Sequence, residues 1–195
     1  MKSNNVIALT NDSVPTRLSM TALQSAVWDK IMKIDLEPIC YKIVNCDEGG
    51  EPWAREKVSR VENEYRQYLF LTVVEGVDKS IVPTLDIDHF WHTHILDTAK
   101  YAQDCEVTFG RFLHHFPYLG MRGEQDKQNL INSFEDTIVL FDKYFGVVPK
   151  NSSGAGVACA AGDCGGCDHR GTDNHEIAIC GDALDKSRPR FQATA

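Results

Sequence analysis

Apolar side chains recur at intervals of three and four positions near the start of the chain. Between Ser19 and Lys33 these positions are Met20, Leu23, Val27 and Ile31. This spacing places them on one face of an α-helix. Thr21 and Gln24 have the spacing of a capping box, in which each side chain bonds to the other residue's backbone amide. We therefore predict a helix over residues 19–33, ended by Leu36-Glu37-Pro38 because proline disfavours a helical residue before it.

The same period returns in two longer segments. One follows Pro52, which we expect at the first helical position, where its missing amide hydrogen costs nothing. The other runs from about Leu130 to Phe145 and is closed by Gly146, a residue type suited to the left-handed backbone after a helix. Residues 39–44 could form a short extended piece or a helical turn. Four or more helices without a convincing strand predict an all-α, bundle-like domain.

The chain changes character near residue 150. We predict a flexible lead over residues 1–17, the helical domain over 18–149 and a Gly/Cys-rich tail over 150–195. The tail contains four candidate metal ligands: Cys159, Cys164, Cys167 and His169. Three alternatives are open for it: a disordered segment, a zinc or copper knuckle, or an iron–sulfur site, since the cysteine spacing equals that of plant-type ferredoxins.

Candidate chemistry is concentrated in residues 86–120, with the sequence DIDHFWHTHILDTAKYAQDCEVTFGRFLHHFPYLG, which hold five of the seven histidines. Asp86 is a good helix N-cap, and neither Gly nor Pro follows it until Gly110, where we expect a turn. A helix is therefore predicted to begin at Asp86.

In such a helix Asp88 and His92 are one turn apart and share a face, whereas His94 points roughly the opposite way. Imidazole and carboxylate groups bind zinc and non-haem iron, so a divalent metal, zinc or iron, is predicted here. His92 would be the anchoring ligand. Asp88 would bind the metal or accept a hydrogen bond that fixes a histidine tautomer. His114 or His115 would fold back to supply the distant ligand.

Two further side chains are candidate catalytic residues. Tyr101 is a candidate proton donor or substrate contact, and His94 is the second candidate. We expect hydrogen bonds of the type His94–Asp97 or Tyr101–Asp104 on this side of the helix, against the core.

Trp91-His92-Thr93-His94, followed by Leu113-His114-His115-Phe116-Pro117, resembles the signature of the glycine-rich domain-containing protein-like family. That family occurs in plants and bacteria and is largely of unknown function. The likeness is dense over residues 81–120 and looser over 53–146. It implies no established reaction.

The resemblance also has local implications. Plant members have His-Pro where this chain has Asp97-Thr98, which implies a break or kink in the helix at that point. His89 lies outside the signature, and some relatives lack the second histidine of the Trp-His-Thr-His motif. The resemblance therefore favours four metal ligands in the helical domain: Asp88, His92, His114 and His115.

Composition narrows the function classes. The formal net charge of −8 argues against a nucleic-acid or anionic membrane surface, which needs basic patches. No apolar run approaches the ~18 residues of a membrane span, and the N-terminus lacks the apolar core of a signal peptide. Seven cysteines, an odd number, are expected as thiols or metal ligands in a reducing cytoplasm.

Two hypotheses of different class follow. The first is a cytoplasmic helical protein with a His/Asp metal site that could act as a metal-dependent enzyme on an unknown small molecule or protein. The alternative is a non-enzymatic interaction or regulatory module. In that case the His/Trp/Tyr cluster is structural, and the Cys-rich tail binds metal or a partner.

Overall fold

A computed structural model describes residues 20–45 and 52–150, and these residues form six α-helices. The helices are α1 (Ala22–Ile31), α2 (Glu37–Asn45), α3 (Arg55–Val74), α4 (Leu85–Leu96), α5 (Thr98–Phe109) and α6 (Glu124–Phe145). The all-α prediction is confirmed for this part of the chain. The predicted lead and nearly all of the predicted tail lie outside the described residues, so the domain boundaries stay predictions. No helix among residues 20–45 and 52–150 is long and apolar enough to cross a membrane.

Helix α3 lies at the centre of the fold. It contacts α1, α2, α4 and α6, and every residue from Glu64 to Thr72 is buried. A helix that is covered on all sides occupies the interior of a domain. The main core is built around it, and the fully buried aromatic side chains of this core include Tyr65, Tyr68, Phe70, Phe90, Trp91 and Tyr101.

The charged residues of α3 inside this interior are paired. Arg66 donates to the carbonyl oxygens of Ile31 at 2.7 Å and Ile34 at 3.1 Å, and to the Glu62 carboxylate at 2.7 Å. The last carbonyl groups of a helix have no partner within the helix itself. Arg66 therefore completes the end of α1 and ties it to α3.

Helix α1 begins as predicted. The Thr21 side chain accepts from the amide of Gln24, and the Gln24 side chain accepts from the amide of Thr21, which is the reciprocal capping box. The sequence pattern left open whether residues 39–44 form an extended piece or a helical turn, and in the structure they are part of helix α2. Pro38 does not end a helix but lies in the first turn of α2, where proline is tolerated because the first amides of a helix are unbonded anyway.

Two other helix starts differ from the sequence prediction. Helix α3 begins at Arg55 rather than at Pro52. Helix α4 is capped by Thr84, whose hydroxyl accepts from the Ile87 amide at 3.3 Å, and Asp86 lies inside the first turn. Both Thr and Asp cap helices well, and an acidic group in the first turn is also favoured by the helix dipole.

The helix predicted through residues 86–109 is divided at Asp97, whose backbone has φ −81° and ψ 70°. This is the break that the family resemblance implied. Gly110 follows the last residue of α5 and Gly146 follows that of α6, and both glycines are in the left-handed conformation, with φ 67° and 64°. The predicted turns at these two glycines are therefore present.

The start of α6 is fixed by Asp126. Its carboxylate accepts from the amides of Gly120 at 2.7 Å and Arg122 at 3.2 Å, and from the Arg122 guanidinium at 2.7 Å. Burial by itself would raise the pKa of Asp126. The hydrogen bonds from Arg122 and Gly120 outweigh burial and lower this pKa below its ordinary value of 3.8.

We expect Asp126→Asn to lower the free energy of unfolding by about 1–3 kcal/mol at pH 7, because charge-assisted hydrogen bonds are lost. A lowered carboxyl pKa contributes stability that is present above the unfolded pKa and lost as pH falls through the folded pKa. The difference between the two proteins should therefore shrink as pH drops below 3.8. Urea unfolding at pH 7, 4 and 3 measures this. Asp136→Asn, at an exposed position of the same helix, is the control, and an equal loss for Asp126→Asn at every pH would contradict the assignment.

Candidate metal centre

Three of the predicted ligands lie together. Asp88 and His92 project from successive turns of α4, and His115 reaches them from the segment that follows α5. His92 Nε2 lies 3.6 Å from Asp88 Oδ2, and His115 Nε2 lies 3.4 Å from Asp88 Oδ1. One ligand atom from each residue falls within 4.8 Å of the other two. The predicted geometry of Asp88 and His92, one helical turn apart, is therefore present.

The Asp88 carboxylate is fully buried, and neither of its oxygens has a hydrogen-bond partner within residues 20–45 and 52–150. Buried carboxylates are ordinarily paired with a cation or hydrogen-bonded, because an isolated charge in the interior is very unfavourable. Asp88 is therefore the group in this cluster whose environment is incomplete.

The two histidines face each other across this carboxylate. His92 Nε2 and His115 Nε2 are 2.7 Å apart, and the ring centroids are 4.5 Å apart at an interplanar angle of 60°. Two imidazole nitrogens at this distance share a proton, or both direct lone pairs at a common cation. The side chain of His92 is 33% exposed and that of His115 13%, so the cluster opens to solvent on the His92 side.

A buried hydrogen-bond chain lies beside the cluster. Trp91 Nε1 donates to Tyr101 Oη at 2.9 Å, and Tyr101 Oη donates to the Leu113 carbonyl at 2.6 Å. The Trp91 ring also packs on the His115 ring, with centroids 5.1 Å apart. Tyr101, a candidate catalytic residue from the sequence, therefore lies inside the core and joins α4, α5 and the segment carrying His115.

His94, the other candidate catalytic residue, lies on the opposite side of α4, as the helical geometry predicted. Its Nδ1 is 3.0 Å from Tyr65 Oη and its Nε2 is 3.0 Å from Asp104 Oδ2. Burial lowers the pKa of His94, and the opposing effect of Asp104 does not restore it. The predicted partner residues were wrong, because His94 pairs with Asp104 rather than Asp97, and Tyr101 with Leu113 rather than Asp104.

The remaining predicted ligands are elsewhere. His114 is exposed, and its ring packs on Phe112 with centroids 4.9 Å apart, so it is not part of the Asp88/His92/His115 group. Cys159, Cys164, Cys167 and His169 lie outside the described residues. Sequence reasoning missed Tyr65 as the partner of His94, because the two are 29 positions apart and no local pattern connects them.

Comparison with known proteins agrees with the resemblance in the sequence. Residues 47–135 match a family model described as UCP032817-like. The chain is 27% identical over 133 residues to Glycine-rich domain-containing protein 1 of Arabidopsis thaliana, and 29% identical over 113 residues to Glycine-rich domain-containing protein 2 of the same plant. The resemblance to the glycine-rich domain-containing protein-like family is confirmed.

The two glycine-rich domain-containing proteins are much longer than this chain. The first alignment covers 63% of this chain and 16% of the relative, and the second covers 56% and 14%. The segment matched by the family model includes Asp88, His92 and His115. No solved structure matches the chain significantly.

Proposed function

We propose that the helical part of this chain binds one divalent metal ion through Asp88, His92 and His115. The observation that supports this most directly is the buried Asp88 carboxylate, which lacks a hydrogen-bond partner among the described residues and faces two imidazole nitrogens. A divalent cation would neutralise the carboxylate and accept both nitrogen lone pairs at once.

Two of the three separations between ligand atoms are close to those of a zinc site. Metal–nitrogen and metal–oxygen bonds of 2.0–2.1 Å in a tetrahedral zinc site separate neighbouring ligand atoms by about 3.3 Å. His115 Nε2 lies 3.4 Å from Asp88 Oδ1 and His92 Nε2 lies 3.6 Å from Asp88 Oδ2, close to this value. The two Nε2 atoms are 2.7 Å apart, so the imidazoles would have to move apart to bind the ion. Two histidines and one carboxylate are ligands of catalytic zinc and of non-haem ferrous iron.

Three protein ligands leave a coordination position for water or substrate, which is the arrangement of catalytic rather than structural zinc sites. Because the His92 side chain is 33% exposed, that position would lie on the solvent side of the cluster. These features favour a metal-dependent enzyme as the biochemical role, with the metal supplying Lewis-acid chemistry or an activated water. Tyr101 would support the site from the core, whereas His94 bonds to Tyr65 and Asp104 on the opposite side of α4. The four ligands of the tail, Cys159, Cys164, Cys167 and His169, are proposed as a separate metal site.

The competing role is a structural cluster in which His92 and His115 share a proton that offsets the charge of Asp88. The 2.7 Å separation of the two nitrogen atoms is also a hydrogen-bond distance. A metal-binding measurement with matched variants separates the two roles.

We expect full-length protein with its tail ligands replaced (Cys159, Cys164 and Cys167 by Ser, His169 by Ala) to bind one equivalent of zinc or ferrous iron. At a metal concentration 100 times the dissociation constant, binding should raise the free energy of unfolding by about 2.7 kcal/mol. His92→Ala should abolish both effects, because it removes one of the three ligands. Isothermal titration calorimetry and chemical unfolding at pH 7.5 give the two readings.

His114→Ala in the same background is the matched control, since His114 is adjacent to His115 in sequence but outside the cluster. It should bind metal like its parent. No stoichiometric binding of zinc, iron, copper or manganese by the parent would overturn the metal site and leave the structural cluster as the explanation. An equal loss in His92→Ala and His114→Ala would show that the three-residue assignment is wrong.

Asp88→Asn gives a second, independent test on metal-free protein. The Asp88 carboxylate is fully buried and has no hydrogen-bond partner among the described residues. Replacing it with a neutral amide should raise the free energy of unfolding by about 1–3 kcal/mol, while the stabilisation by metal disappears. Urea unfolding with and without zinc measures both effects.

Asp104→Asn is the control for Asp88→Asn, because the Asp104 carboxylate already has His94 and Lys100 as partners at 3.0 and 2.9 Å. That variant should be less stable than its parent, with metal binding retained. If Asp88→Asn destabilises the metal-free protein as Asp104→Asn does, the histidines already satisfy Asp88, and the structural role is favoured.

A further inference from the structure

We propose that Tyr101 is the positioning residue that holds His115 at the metal centre, through its hydroxyl group. This inference rests on the proposed metal site and adds the residue that positions its third ligand. Tyr101 is not one of the three candidate ligands, and it does not lie at the protein surface. It is buried, and its hydroxyl bonds to a backbone carbonyl two residues before His115.

The three ligands are not held equally by secondary structure. Asp88 and His92 share α4, so their relative position is fixed by the helix itself. His115 lies between the end of α5 at Phe109 and the start of α6 at Glu124. The backbone around His115 therefore needs tertiary contacts to place the imidazole within the few tenths of an ångström that a metal site demands.

The Tyr101 hydroxyl supplies two of these contacts. It donates to the Leu113 carbonyl at 2.6 Å and accepts from the Trp91 indole at 2.9 Å. Leu113 is two residues before His115, and the Trp91 ring packs on the His115 ring. One hydroxyl thus fixes both the backbone that leads to the ligand and the aromatic surface against which its ring rests.

Further contacts of α5 fix the same segment. Cys105, one turn after Tyr101, is buried in the same core cluster as Leu113. The Phe112 ring meets the Tyr101 ring edge-on, with centroids 5.1 Å apart. Residues 112 and 113 are therefore held by a single face of α5, and Tyr101 also bonds to Trp91 of α4.

Removal of the hydroxyl alone has a definite consequence. Phenylalanine keeps the ring and its packing, but the Leu113 carbonyl and the Trp91 indole N–H then lack this buried partner. The segment carrying His115 can relieve this by moving toward solvent, which draws the imidazole away from Asp88 and His92. Substitution of groups that orient metal ligands typically lowers metal affinity 10–100-fold.

The test compares Tyr101→Phe with Tyr65→Phe in the full-length chain with its tail ligands replaced. Tyr65 is an equally buried tyrosine, and it bonds to His94 at 3.0 Å on the other side of α4. Tyr101→Phe should weaken zinc binding at least tenfold and alter the visible spectrum of the cobalt-substituted site. Tyr65→Phe should leave zinc affinity within about twofold and the cobalt spectrum unchanged, whatever stability it loses.

Histidine ring signals in nuclear magnetic resonance spectra of the metal-free chain give a reading that does not depend on metal. Tyr101→Phe should shift the His92 and His115 signals, and Tyr65→Phe should shift the His94 signals. If Tyr101→Phe does not fold, Trp91→Phe removes one of the same two hydrogen bonds and should shift the same pair of signals.

The outcomes separate this inference from the metal site itself. Unchanged zinc affinity and unchanged His92 and His115 signals in Tyr101→Phe would overturn the positioning role while the metal site stands. Equal losses of affinity in both tyrosine variants, in proportion to their stability, would also overturn it. A parent chain that binds no metal would overturn the proposed function, and with it the role of Tyr101 at a metal centre.

Discussion

The burial of the Asp88 carboxylate is the constraint on which the candidate site depends. Helix α4 contacts α2, α3 and α5, and Asp88 lies on its covered side with no exposed surface. A charge in such a position requires a compensating charge or several donors. The closest groups are the Nε2 atoms of His92 and His115, at 3.6 and 3.4 Å. A proton or a metal ion held between these three side chains would complete the environment of Asp88.

The two faces of α4 differ in how completely their histidines and the neighbouring polar groups are hydrogen-bonded. His94 points into the core, and each of its ring nitrogens has a partner at 3.0 Å, supplied by α3 and α5. His92, two residues earlier, instead meets a second imidazole and a carboxylate that lacks a hydrogen-bond partner among the described residues. The same helix thus carries one histidine with complete hydrogen bonding and one within an incomplete group. Incomplete polar groups in an otherwise satisfied interior are expected at functional sites.

Sequence reasoning succeeded where the deciding interactions are local. The capping box of α1, the left-handed glycines after α5 and α6, and the one-turn spacing of Asp88 and His92 all depend on residues within four positions of each other. It failed where distant contacts decide. Thr84 and Asp86 are both good caps, and the pairing of Asp86 with Lys57 at 2.8 Å and Arg60 at 3.2 Å favours its place inside the helix. The choice between two adjacent histidines after Gly110 could not be made either, since no helical period governs that segment.

Tertiary contacts, rather than local spacing, distinguish these two histidines. Tyr101 donates to the Leu113 carbonyl, and in the residues that follow, His114 is exposed whereas His115 is half-buried. His115 meets Trp91 and Asp88. A cluster that served only to stabilise the core could use apolar groups here at no loss, since replacing buried charges by apolar side chains is often neutral or stabilising. The chain instead places a buried carboxylate beside two half-buried imidazoles and a buried tyrosine, which supports the metal site proposed above.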